Sequence, residues 1–367
     1  MEDWKQFLPT LSSIAHRCTK LTTDSWDVLD GCLKPDWAVA LASECLHLEE
    51  KGLLQLHRFE FAANGDKVEY QHPGRSFVDL EAPKISPSVA AAAPGLAHFA
   101  SEAAPLLATQ LLQEMPGLAL KQPSGVQVKL QLTKGQGSAP CHYDTSETAP
   151  HRQVTLLLYL SEGYQENYGT ELVLQPFLGC PVKVSPTFNQ GVIFLSDRVL
   201  HYTLPPTEDG TTFARWLLTI WLDGDQVDKA VGQTQRWPPL LQRLLAPAIY
   251  SEMYLKSLEQ SMPPGAALKA LKLAQEEEIA SIELDESFAE MLPDLKDAAA
   301  TAATAATATA AMRKTTWKQD SDDRYDSPMS PRSMSPRRGS CKRVHSEPAS
   351  TWIQKMQRHC RRNSDTM

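Results

Sequence analysis

An α+β fold built around a strand-rich centre is what the 367-residue sequence predicts, and three observations carry that prediction. Residues 126–223 hold a succession of short β-favouring runs separated by glycine or proline turns. Their spacing of about 8–12 residues marks a sandwich or barrel. Helical periodicity flanks this block, at 35–52 and 88–114 before it and from Pro239 to about Pro293 after it. Beyond Asp297 the pattern dissolves into an Ala/Thr stretch and then a Ser-, Pro- and Arg-rich sequence with few aromatics. Such a composition cannot bury enough apolar surface to offset its ordering entropy, so residues 298–367 are expected to be disordered.

In chain order, Trp26–Leu33 reads as a short strand and a turn. Pro35 and Asp36 open an amphipathic helix with Trp37, Val39, Leu41, Cys45 and Leu46 on its apolar face. It ends at Gly52, the residue type suited to the left-handed position after a helix. Leu53–Phe61 and Lys67–Gln71 bracket Asn64-Gly65 and read as a hairpin. The Ala-rich segment 88–114 is helical, with breaks expected at Pro94 and Pro105, and it stops at Pro116-Gly117. Val126–Leu132 alternates apolar and polar residues, and Val154–Leu160 is a continuous apolar run. Glu171–Gln175, Pro181–Val184, Gly191–Leu195 and Arg215–Leu222 complete the strands, and Ser196–Leu200 reads as a loop.

An apolar fraction of 42% is enough for a real core. No segment approaches the roughly 18–20 uncharged apolar residues of a membrane span. The first twenty residues carry Glu2, Asp3, Lys5, His16 and Arg17 among their apolar residues and offer no unbroken apolar centre, so a secretory signal is not expected. Seven scattered cysteines without a C-x-x-C argue against a disulfide scaffold or a zinc ribbon, and fit a reducing compartment, cytoplasmic or nuclear. The net charge of −8 hides an asymmetry: from Ala298 on there are 13 Lys+Arg and 6 Asp+Glu, which leaves 23 against 38 in the rest. A body that acidic is a poor partner for nucleic acid. No phosphate-binding Gly-rich loop and no G-x-S-x-G elbow are present.

The chemistry-bearing residues lie inside the strand block. In Cys141–Thr145, His142 and Asp144 stand two positions apart, so an extended segment turns both to one side where they can share an ion. His201 follows the Gly191–Leu195 strand and the 196–200 loop. Two histidines and a carboxylate that leave metal positions open are the set used by non-haem Fe(II) oxygenases. Arg215 opens the last apolar strand, where a lone guanidinium is costly to bury unless a carboxylate docks against its planar fork.

With these residues assembled, Val126–Leu222 resembles the prolyl-4-hydroxylase-like branch of the 2-oxoglutarate/Fe(II) dioxygenases. The matching elements fall in the family's order: His142-x-Asp144, the Val154–Leu160 strand with Tyr159, Tyr168–Leu172 for its glycine turn and strand, Ser196-Asp197-Arg198 before His201, and Arg215-x-x-x-Thr219-x-Trp221. The resemblance implies a double-stranded β-helix, or jelly-roll, core with flanking N-terminal helices. It implies Fe(II) on His142, Asp144 and His201, with 2-oxoglutarate held by Arg215, helped by Tyr159 and Thr219. Dioxygen is the other co-substrate, and ascorbate accompanies the family as reductant. The implied product is a hydroxylated prolyl residue in a protein or peptide, with release of succinate and CO2; the superfamily also hydroxylates free amino acids and small metabolites. A non-catalytic binding module that keeps the pocket is the alternative from another class.

Thr170 stands for the second glycine of the family's usual pair, which a turn tolerates where positive φ is not needed. Leu132 occupies a position where many relatives carry a tyrosine against the co-substrate, and Pro205–Gly210 reads as an extra surface hairpin. Asp197 and Arg198 read as a structural ion pair or turn, and Tyr143, His151 and Arg152 as solvated loop residues. Trp221 occupies the place of the second arginine of DNA-repair relatives, which argues against a nucleic-acid demethylase.

The expected organisation is a dioxygenase domain over 1–228 (helical layer 1–120, jelly-roll core 121–228), a helical extension over 229–297, and the tail. In that tail Arg343-x-x-Ser346-x-Pro348 resembles a phosphoserine ligand of 14-3-3 proteins.

Overall fold

A computed structural model describes residues 14–18, 20–63, 66–81, 84–121, 125–146, 149–225 and 237–306. Among these residues ten antiparallel strands form two sheets. The larger has seven strands in the order β1-β8-β5-β10-β4-β3-β2 and the smaller has three, β7-β6-β9. Their ranges are β1 Trp26–Leu29, β2 Gln55–Ala63, β3 Asp66–Asp79, β4 Val126–Thr133, β5 Arg152–Tyr159, β6 Leu172–Pro176, β7 Val182–Val184, β8 Gly191–Leu195, β9 Val199–Thr203 and β10 Arg215–Asp223. Sequence neighbours β4, β5 and β6 alternate between non-adjacent places and sheets, which is the winding of a jelly roll.

The period-two alternation of the strands sorts side chains between two cores. On the outer face of the large sheet, Leu130 and Leu132 of β4, Leu156 and Leu158 of β5 and Leu218 and Ile220 of β10 pack with the N-terminal helices. Those helices are α1 (Pro35–Glu50), α2 (Pro87–Ala92), α3 (Pro94–His98) and α4 (Ala104–Glu114). On its inner face, Leu157, Tyr159, Val192 and Phe194 meet Leu172, Leu174, Val184 and Val199 of the small sheet. The small sheet is backed in turn by α5 (Pro239–Ile249), α6 (Ser251–Ser261), α7 (Ala266–Leu284) and a last helix, α8, over 292–306, through Leu200, Leu241, Leu245, Tyr254 and Leu292. Four layers result: helices, sheet, sheet, helices.

Several expectations need correction. Residues 298–306, expected to be disordered, are helical: α8 runs through 306 and buries Ala299 and Ala302 on the stripe begun by Leu292 and Leu295. Pro105 does not break its helix: Ala104 bonds back five residues to Phe99 across the widened turn Phe99–Ala103, which accommodates the missing N–H of the proline. Val39 and Leu46 of α1 face solvent, at 48% and 53% exposure, while Trp37, Leu41 and Cys45 are buried. Val199 and Leu200, expected in the 196–200 loop, instead open the strand Val199–Thr203. The Pro205–Gly210 segment is no hairpin: Pro206 bridges Gly169 and the chain continues as a short 3-10 turn, Asp209–Thr212. Leu132 faces the N-terminal helices, so the cavity-facing neighbours on β4 are Gln131 and Thr133. Residues 64 and 65 lie outside the described residues, but β2 and β3 pair up to Ala63↔Asp66, as a hairpin requires. Ser346 and the rest of 307–367 also lie outside them.

Candidate metal centre

The segment before β5 is extended, and alternate side chains part company. Cys141 and Tyr143 pack into the helical core behind the small sheet, correcting the view of Tyr143 as a solvated loop residue. His142 and Asp144 point the other way, between the sheets. His142 pairs with His201 of β9 through two backbone hydrogen bonds of 3.0 Å, so their rings lie side by side with centroids 4.3 Å apart. His142 Nε2 is 3.6 Å from Asp144 Oδ1, and His201 Nε2 is 3.8 Å from Oδ2. One ligand atom from each residue lies within 4.8 Å of the others, and this is the metal-capable cluster among the described residues.

The surroundings select the atoms that face the centre. His142 Nδ1 lies 2.7 Å from the Pro140 carbonyl and His201 Nδ1 3.2 Å from that of Val199. A carbonyl can only accept, so each Nδ1 carries the proton and each Nε2 presents its lone pair inward. Burial, with His142 beside it, holds His201 down to about 4, which keeps that lone pair available at neutral pH. Burial by itself would raise Asp144. The two imidazoles and a 2.7 Å hydrogen bond donated by Thr155 outweigh it and hold the carboxyl below the usual range. Ser196 Oγ in turn lies 2.8 Å from Thr155 Oγ1. The loop itself is fixed from behind by α6, where Ser257 Oγ accepts from the Cys141 N–H at 2.9 Å and Ser261 lies 3.0 Å from Ser138 Oγ.

A second cluster of polar groups lies on the inner face of β10 and its neighbours. Arg215 is 2% exposed; its Nη1 donates to the Thr170 carbonyl at 2.9 Å and its Nη2 to Thr133 Oγ1 at 3.3 Å. Its Nε–H is buried without a partner among the described residues. Tyr159 lies opposite Leu217, one step along β10 on the same face, is 1% exposed, and makes no hydrogen bond through its hydroxyl among the described residues. Burial, partly offset by Arg215, pushes Tyr159 up to about 12, so it keeps its proton and remains a donor. Thr219, 2% exposed, completes the set. Buried donors left without acceptors are costly in a closed fold, and they suit this face to an anionic acceptor.

Thr170, expected to need no positive φ, has φ 65 and is buried at 4%. Its left-handed backbone aims the carbonyl that accepts from Arg215. Arg152, also expected in a solvated loop, opens β5. Its guanidinium stacks 4.0 Å from the Trp221 ring centroid and donates to the backbone oxygen of Asp144. Asp197 and Arg198 form the expected ion pair at 3.3 Å. Sequence reasoning missed Thr155, concealed in an apolar run, and the pair Arg75 and Gln131, which nothing in the linear pattern distinguishes.

The sequence profile of the 2OG-Fe(II) oxygenase superfamily matches residues 128–223, the span of β4 to β10. No curated protein matches the chain. Among solved structures, a prolyl 4-hydroxylase from Phytophthora capsici is similar with a TM-score of 0.64 and 28% identity, covering 80% of this chain and 95% of that one. A Pseudomonas putida prolyl-4-hydroxylase is similar with a TM-score of 0.46 and 25% identity over 59% of this chain and 100% of that chain. A prolyl hydroxylase from Trichoplax adhaerens, in complex with a hypoxia inducible factor oxygen degradation domain peptide fragment, gives 0.46 and 17% over 64% and 98%. At those scores the last two add no weight; the profile, the Phytophthora structure and the His142-Asp144-His201 site agree without them. No helix among the described residues is long and apolar enough to cross a membrane. The chain is therefore an enzyme with a 2OG-Fe(II) oxygenase region over residues 128–223, similar to prolyl 4-hydroxylases, and the class works with Fe(II) as cofactor and 2-oxoglutarate and dioxygen as co-substrates.

Proposed function

We propose that the chain hydroxylates a prolyl residue in a protein or peptide, converting 2-oxoglutarate and dioxygen to succinate and CO2. The observation that carries this reading is the pairing of a His142-Asp144-His201 cluster with buried donors of Arg215 and Tyr159 that lack acceptors among the described residues, all between the two sheets. His142, Asp144 and His201 would hold the iron, which when bound supplies the redox chemistry that activates dioxygen. The protein's own residues do the rest. Pro140 and Val199 carbonyls keep both Nε2 atoms turned inward, and the two imidazoles together with the Thr155 hydroxyl hold Asp144 ionised. Arg215, Tyr159 and Thr219 would seat the co-substrate by its distal carboxylate, and the apolar residues of β5, β6 and β8 keep water out.

A cavity of about 450 Å3 under the β2–β3 hairpin, lined by His57, Arg58, Phe77 and Lys129, gives room for a polypeptide segment. Lys129 and Arg152 flank Trp221 between that cavity and Asp144. The domain division, with 1–228 as the oxygenase and 229–297 as its helical extension, is part of the same reading. So are ascorbate as reductant, placement in the cytoplasm or nucleus, and a 14-3-3-type reader of phosphorylated Ser346, which rest on sequence alone. The test is succinate release coupled to a +16 Da shift in a proline-containing peptide. Both should vanish in His142→Ala, and the 2-oxoglutarate requirement should rise steeply in Arg215→Met. An iron-loaded protein that never decarboxylates 2-oxoglutarate with any peptide, free amino acid or small metabolite overturns the reading.

A further inference from the structure

Arg75, Gln131 and Thr219 lie on three adjacent strands, β3, β4 and β10, and are joined by a chain of hydrogen bonds. Arg75 Nη2 donates to Gln131 Oε1 at 3.0 Å, and Gln131 Nε2 donates to Thr219 Oγ1 at 2.8 Å. A guanidinium has donors only. The atom of Gln131 that faces Arg75 must therefore be its oxygen, which obliges its NH2 to face Thr219. The hydroxyl oxygen of Thr219 is thereby made an acceptor on that side, and its own O–H has to point elsewhere. No acceptor for that proton exists among the described residues, although Thr219 is only 2% exposed. The direction left to it is the space between the sheets, on the face of β10 that Thr219 shares with Arg215 and that the neighbouring Tyr159 also faces.

We propose that Arg75 and Gln131 are positioning residues that fix the polarity of the Thr219 hydroxyl, so that it donates to the bound 2-oxoglutarate. This rests on the co-substrate role given above to Arg215 and Thr219. Arg75 has a second task in the same arrangement: its Nη1 reaches the Ser138 carbonyl, four residues before His142, so one side chain ties the hairpin, the ligand loop and the co-substrate wall together.

The discriminating substitution is Gln131→Glu. A carboxylate still accepts from Arg75, but it also accepts from Thr219, so the hydroxyl proton turns away from the co-substrate. The experiment is calorimetric titration of 2-oxoglutarate into the full chain loaded with Mn(II), without dioxygen. Gln131→Glu and Thr219→Val are each expected to weaken binding roughly tenfold or more, the scale of one hydrogen bond to a charged acceptor. In the Thr219→Val background, Gln131→Glu should then cost less than threefold, because the hydroxyl it acts through is gone. A through-space charge effect, or general loosening of the fold, would cost the same in both backgrounds and overturns the proposal. Gln131→Met, which cannot reverse the hydroxyl, serves where the glutamate variant fails to fold, and should weaken binding less than Thr219→Val does; an equal or larger loss overturns the proposal too. Arg215→Met separates the two readings. If it binds 2-oxoglutarate as well as the unaltered chain, the co-substrate site itself is wrong; if it does not bind while Gln131→Glu is silent, only the polarity assignment falls.

Discussion

Replacing Thr155 by valine removes one atom's chemistry and keeps the shape of the side chain. Thr155 is fully buried on the inner face of β5, paired across the sheet with Trp221, and its hydroxyl donates to Asp144 Oδ2 at 2.7 Å. That bond has an ionised acceptor in a place sealed from water, and such bonds contribute about 1.5–3 kcal/mol. Among the described residues the carboxylate has no other side-chain hydroxyl donor, since Ser196 reaches only Thr155. Losing the donor leaves Asp144 less well oriented and easier to protonate. Metal affinity should fall by roughly 10- to 100-fold, the usual effect of removing a group that supports a ligand. Anaerobic titration of Co(II) or Fe(II) into the metal-free protein measures it directly. Thr155→Ser restores the hydroxyl and should recover most of the affinity, whereas a simple packing defect would be aggravated by the smaller side chain. A Thr155→Val protein with an unchanged metal dissociation constant, or a serine variant no better than valine, refutes the role assigned to this hydroxyl.

Burial, together with Arg75, Lys129, His72 and His142, holds His57 down to about 3, so below the unfolded value of about 6.5 the unfolded chain binds the extra proton and stability falls as pH drops, the fall ending only near about 3. Between pH 7 and pH 5, His57→Phe should therefore lose about 1–2 kcal/mol less stability than the unaltered chain in urea unfolding; equal losses count against a neutral, half-buried His57. A Cβ on Gly210 would collide with the backbone of Tyr168, so Gly210→Ala should cost about 1–3 kcal/mol in thermal unfolding and, by moving the turn that ends in Thr170, weaken 2-oxoglutarate binding as well. A chain ended at residue 236 loses α5–α8 and uncovers Leu200 and Cys141; it should aggregate on size exclusion, whereas a chain ended at residue 306 should elute as a monodisperse folded protein, and a well-folded 1–236 fragment would show that the helices are dispensable.

What could be read from the sequence were residues whose chemistry is rare in their setting. His142 and Asp144 two apart before a strand, and an arginine opening an apolar strand, are improbable as packing, so type and spacing were informative. Thr155 was hidden because a single threonine in a β-branched, apolar run is also what a buried strand tolerates. Arg75 and Gln131 are 56 residues apart, and Gln131 and Thr219 are 88 apart; their link exists only through the register of β3 on β4 and β4 on β10. Strand β9 was concealed by the polar Ser196-Asp197-Arg198 before it, a turn signal that leaves only five residues for the strand. The left-handed backbone of Thr170 was unreadable for another reason, since β-branched residues are disfavoured there and only the surrounding contacts impose it.

The alternation of Cys141, His142, Tyr143 and Asp144 gives one short stretch of backbone two allegiances. Its even members face the iron cavity, and its odd members are embedded among α5, α6 and α8, tied there by Ser257. Any disturbance that peels the C-terminal helices away must therefore pull on two of the three metal ligands at once. Heat should release the ion and melt those helices in a single event, and a chelator should lower the temperature at which both occur.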